Sequence, residues 1–138
     1  KALESRPDFV EAQNNLGAAF LQQGRVDDAI RCFQKAVEIQ PNDAKAHNNL
    51  GWVLLHRRQV DASISQFQEA ARLRPDWADA HHSLGVALCE RRRIDEGIHE
   101  FQEALRLEPD SAVVSNDLAV AVQLKTRSAE PPAGATKP

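Results

Sequence analysis

Residues 46–55 read AHNNLGWVLL, a helical stretch that carries two adjacent asparagines, Asn48 and Asn49, in its middle. Asparagine is a poor helix former, costing up to ~0.7 kcal/mol against alanine, because its amide competes for the backbone's own hydrogen bonds. The same choice returns elsewhere. AQNNLGAAFL at 12–21 repeats the pair as Asn14 and Asn15, AHHSLGVALC at 80–89 puts His82 and Ser83 there, and VVSNDLAVAV at 113–122 puts Asn116 and Asp117.

The surroundings recur with it. Prolines 7, 41, 75 and 109 stand 34 residues apart. Leu16, Leu50, Leu84 and Leu118 keep that step, each followed by Gly17, Gly51, Gly85 and then Ala119. Phe33, Phe67 and Phe101 keep it too, as do Ala36, Ala70 and Ala104. A fixed period of this length is the signature of a solenoid. Each unit predicts two helices. Helix A starts after Asp8, Asn42, Asp76 or Asp110, which are placed as N-caps behind a proline. A turn near Gly24, Arg58 or Arg92 follows. Helix B opens on acids (Asp27, Asp28, Asp61, Asp95, Glu96) that suit the positive end of its dipole, and the next proline stops it.

Leu-Gly, an apolar residue three positions on, a small residue, Phe four residues later and a closing Pro resemble the tetratricopeptide repeat. The three copies are Leu16, Gly17, Phe20, Ala29, Phe33, Ala36, Pro41; then Leu50, Gly51, Leu54, Ser63, Phe67, Ala70, Pro75; then Leu84, Gly85, Leu88, Gly97, Phe101, Ala104, Pro109. The family's early aromatic is replaced by Gln13, His47 and His81. The resemblance implies an all-α, right-handed solenoid of helix-turn-helix repeats. The expected boundaries are a helix-B remnant at 1–6, repeats at about 8–41, 42–75 and 76–109, a capping helix at 110–125 and a disordered tail at 126–138. Gly97 inside helix B should cost about 0.5–1 kcal/mol and make the third repeat the softest.

On helix A, Ala12, Leu16, Gly17 and Phe20 form the expected buried stripe. The opposite stripe holds Asn14, Asn15, Asn48, Asn49, Trp52, Leu55, His82, Ser83, Val86 and Asn116, at helical i, i+3, i+4 spacing. In the family that helix lines the concave side, so these ten residues are the expected partner-binding groove. An amide offers donors and an acceptor together, and so can hold a peptide backbone without reading its sequence. The competing reading is that the amides bond neighbouring helices and set repeat packing. Trp52 is the expected apolar anchor.

The resemblance implies a non-catalytic module that binds a protein or peptide. The alternatives are the substrate-presenting arm of a larger enzyme, such as a glycosyltransferase, and a self-assembly scaffold joined through exposed terminal helices. The Asn15, Asn49 register is similar to the asparagine row of O-linked N-acetylglucosamine transferases. Where chaperone-binding members clamp a carboxylate with basic residues, this chain has Asn14, Ala18, Asn49, Asp79 and Ser83, which argues against that role.

A 42% hydrophobic and 27% charged composition is ordinary for a globular domain, and 138 residues suffice for one core. Net charge of −3 recommends neither nucleic acid nor an anionic membrane, and no apolar run approaches the ~20 residues of a membrane span. His47 and His81 sit on neighbouring helices about 8–10 Å apart, too far for one metal, and Cys89 lacks an activating base; no metal, cofactor or catalytic residue is expected. Cys32 and Cys89 suggest free thiols in a reducing compartment, hence a cytoplasmic location. The opening KALESRPD matches KAVEIQPN at 35–42, as if the chain were a piece of a longer protein.

Overall fold

The computed structural model describes residues 6–129, and the side chains from residue 8 onward. The expected helix-B remnant and tail fall largely outside them. Among the described residues seven helices follow one another: α1 Arg6–Gln22, α2 Val26–Ile39, α3 Ala44–His56, α4 Val60–Leu73, α5 Ala78–Glu90, α6 Ile94–Leu107 and α7 Ala112–Ala129. Antiparallel pairs α1·α2, α3·α4 and α5·α6 stack in chain order, and α7 closes the stack against α6. The last helix runs past the expected end at 125, because Thr126 turns its hydroxyl back to the Val122 carbonyl at 3.0 Å and the backbone continues helical.

Within a repeat the two helices meet where helix A has no side chain. A Cβ placed on Gly51 would lie 2.5 Å from the Phe67 ring, and Phe67 is fully buried. That approach is what the Leu-Gly and Phe positions of the period encode. Between repeats, Leu50 enters a cluster with Ala29 and Phe33 of the preceding helix pair, and Leu84 does the same with Ile64 and Phe67. Leu16 and Ala12 depart from the expected buried stripe. Leu16 is 45% exposed against 4% for Leu50, since no helix B precedes α1 among the described residues.

The expected caps are shifted by one residue. Asp43, not Asn42, caps α3 by accepting from the Lys45 amide at 3.1 Å, and Ser111 accepts from the Val114 amide at 3.3 Å before α7. Trp77 occupies the N-cap of α5 without a side-chain cap. The reason is the turn. Asp43 N–H donates to the Gln40 carbonyl at 3.1 Å and Trp77 N–H to that of Arg74 at 3.1 Å, so Pro41-Asn42 and Pro75-Asp76 fill the central positions of β-turns. Asp8 lies inside the first turn of α1.

Each A–B turn closes helix A with a left-handed residue: Gly24 (φ 78°), Arg58 (φ 66°) and Arg92 (φ 70°). The following amide reaches back five residues, as in Arg25 N–H to Phe20 O at 2.8 Å and Arg93 N–H to Leu88 O at 2.8 Å, which is a Schellman closure.

Candidate functional site: the face of the A helices

Helix α3 shows where the stack is open. Its exposed positions are Lys45, Trp52 and His56, and its half-buried ones are Asn49 and Leu55; every other residue of α3 is buried. These five form one stripe along the helix. The stripe of α5 is Asp79, His82, Val86, Cys89 and Glu90. Side by side with α1 and α7, the two stripes make a continuous face.

Trp52 stands 38% exposed on this face, with its ring edge on Phe67 at 5.4 Å between centroids. Asn15 and Asn116 are exposed, while Leu55 and Val86 are half-buried. Three expected groove residues are corrected. Asn14 (7% exposed), Asn48 (9%) and Ser83 (2%) are buried in the seam between consecutive A helices. His82 reveals the seam's geometry: its Nε2 lies 2.7 Å from the Asp117 carboxylate on α7, and its ring leans on Phe101. A residue here meets the one 35 positions later, so the first asparagine of each pair is covered by the next repeat. No side-chain hydrogen bond ties Asn14, Asn15, Asn48 or Asn49 to another described residue, and the Oδ1 atoms of Asn14 and Asn48 are buried without a partner. The asparagines therefore do not stitch the repeats together by hydrogen bonding within the described chain.

Two apolar cavities open on the face at equivalent junctions. One, about 320 Å³, lies between α1 and α3 under Leu21, Trp52 and His56, with Val26 and Val53 behind. The other, also about 320 Å³, lies between α5 and α7 under Val86, Cys89, Val120 and Leu124, with Glu90 and Asp117 beside them. Leu21, Cys89, Val120 and Leu124 belong to the same sequence stripe as the ten expected residues, and Leu21, Leu55 and Cys89 are equivalent positions of the repeat.

Cys32 and Cys89 are free thiols. Burial, reinforced by the nearby Asp117 and Glu90 charges, pushes the Cys89 thiol up, away from the reactive thiolate. No group of three or more His, Cys, Asp or Glu able to hold a metal ion occurs among the described residues. No helix among them is long and apolar enough to cross a membrane. The turn arginines are mostly paired with acids, as in Arg91–Asp61 at 2.8 Å and Arg93–Glu96 at 2.7 Å.

A family model described as tetratricopeptide repeat matches residues 1–44, 19–80 and 48–112. Among solved structures, the chain is similar to the first such domain of Spaghetti (RPAP3) bound to the HSP90 peptide SRMEEVD. That match has a TM-score of 0.82, 20% identity, and covers 85% of this chain and 93% of that one. MamA matches with a TM-score of 0.80 and 25% identity over 91% of this chain and 74% of that one. A mutant Thermobaculum terrenum O-GlcNAc transferase matches at 0.80 and 23% identity, over 86% of this chain but only 23% of the transferase. No curated protein sequence gives a match.

Proposed function

This chain belongs to the tetratricopeptide repeat family, and from that membership we propose that it is a non-catalytic module that binds an extended peptide or protein segment across its A helices. The observation that carries the proposal is Trp52, a tryptophan left 38% exposed beside an apolar cavity on the one open stripe of α3. A large aromatic at the centre of a concave, partly apolar surface is the usual form of a binding hot spot. Asn15, Asn49 and Asn116 lie on the same face with no side-chain hydrogen bond to another described residue, which leaves their amides free for a ligand's backbone. The RPAP3 domain of the same fold was solved with a peptide bound, which supports a peptide as the ligand class.

An enzyme's substrate-presenting arm is the weaker reading. A backbone-gripping row needs an open amide at each repeat, and here the Asn15, Asn49 row breaks at Ser83, which is 2% exposed. The free thiols favour a reducing compartment such as the cytoplasm.

Trp52 and Trp77 are the two tryptophans, so a Trp77→Phe background makes Trp52 the sole indole reporter. A peptide selected on the chain from a random dodecapeptide library should shift Trp52 emission to the blue on saturation. An unchanged spectrum at saturation contradicts binding across this face.

A further inference from the structure

The two cavities differ in charge. The α1–α3 cavity has no carboxylate on its wall; its polar member is His56. The α5–α7 cavity is flanked by Asp117 on one side and Glu90 on the other. Asp79 stands exposed on the first turn of α5, with no ion pair to another described residue. Glu90 has its nearest cation, Arg58, at 3.8 Å, in a pair with 85% and 49% of its side chains exposed. Such a pair screens the carboxylate little. His82 Nε2 lies 2.7 Å from one Asp117 oxygen, and the three carboxylates on this half of the face still outnumber the two guanidinium groups beside them, Arg58 and Arg92. On the other half, Glu11 and Asp43 line a cavity together with an equal number of cations, Lys45 and Arg74. A segment seated on the apolar wall would cover Glu90 and Asp117 and so strengthen their attraction for its cations.

We infer that the bound segment is basic and amphipathic, with a fixed direction across the face. Building on the groove reading above, one of its apolar side chains packs at Leu21 and Trp52. A second, aliphatic one enters the cavity between Val86, Val120 and Leu124, and lysine or arginine residues beside it meet Asp79, Glu90 and Asp117. The junctions are two repeats apart, roughly 16–20 Å at about 8–10 Å per packed helix. An extended chain rises about 3.3 Å per residue, so the two apolar side chains are about five or six residues apart.

The test is selection from a random dodecapeptide phage library on the 138-residue chain and on its Asp79→Lys/Glu90→Lys variant, followed by affinities of the enriched synthetic peptides. Both positions are exposed, and a thermal melt checks that the variant folds. Wild type should enrich peptides of net positive charge with apolar residues at that spacing. The double reversal should weaken them about tenfold or more and enrich acidic peptides instead. Neutral or acidic peptides on wild type that are lost on Trp52→Ala would overturn the charge inference alone. Peptides indifferent to both Trp52→Ala and the reversal would overturn the groove itself, and an absence of enrichment would overturn both.

Discussion

His81 is held between two acceptors: its Nδ1 lies 2.7 Å from a Glu100 carboxylate oxygen and its Nε2 2.8 Å from the Pro75 carbonyl. Two acceptors ask both ring nitrogens to carry protons, which is the imidazolium. His47 makes the equivalent contacts with Gln66 and Pro41, but an amide can turn its NH₂ toward the ring instead. Each histidine binds helix A to helix B of its own repeat and to the turn that precedes it.

Stability should consequently depend on pH through His81. Burial alone would lower its pKa, but the Glu100 hydrogen bond, the Pro75 carbonyl and the charges of Glu100 and Glu103 outweigh it and raise it above the ordinary value. A raised folded pKa contributes stability that is complete below the unfolded value near 6.5 and is lost as pH rises through the folded value. Melting temperature should fall as pH is raised from about 6 through the folded pKa, and Glu100→Gln should flatten that fall. An equal slope in the variant would assign the effect elsewhere.

The left-handed turn arginines carry strain that Gly24 avoids in the first repeat. Arg58→Gly and Arg92→Gly should each stabilise by roughly 0.5–1 kcal/mol, because only glycine adopts this conformation without a Cβ penalty. Arg58 gives up only its long, exposed contact with Glu90. Chemical denaturation measures this, and a loss of stability would mean that the arginine side chains matter more than their backbone.

Glycine in helix B of the third repeat has the opposite sign to its propensity. Gly97 reads in the sequence as a weak point, yet a Cβ there would lie 2.5 Å from the Cys89 sulfur and 3.0 Å from the Gly85 carbonyl oxygen. Gly97→Ala should destabilise by about 1–3 kcal/mol, as overpacking does, despite alanine's better propensity. Cys89→Ala should recover part of that loss, giving a non-additive double-mutant cycle. Additive effects would remove Cys89 from the explanation.

The period and the helix pairs were legible because they follow residue types repeated every 34 residues, whereas the contact of each glycine with its phenylalanine came only with the structure. The caps missed by one residue because Pro-Asn and Pro-Asp serve both as cap signals and as the centre of a β-turn, and backbone closure onto Gln40 and Arg74 decided for the turn. Trp52 was legible as an apolar residue on a polar stripe. The burial of Asn14 and Asn48 was not, since residue type suggests exposure and only the rotation between consecutive A helices, seen in His82–Asp117, puts that position in a seam. Leu16 lacks its expected cover because no helix B precedes α1 among the described residues.

The most direct test measures affinity for a library-selected dodecapeptide together with melting temperature, on Trp52→Ala and on Asn15→Ala/Asn49→Ala. Loss of the tryptophan contact should cost about 2 kcal/mol or more of binding, a thirtyfold change or greater. The double alanine variant should bind more weakly while melting at or slightly above the wild-type temperature, because neither amide has a partner among the described residues and alanine is the better helix former. Undiminished binding together with a lower melting temperature would contradict the groove and leave these residues a structural role only.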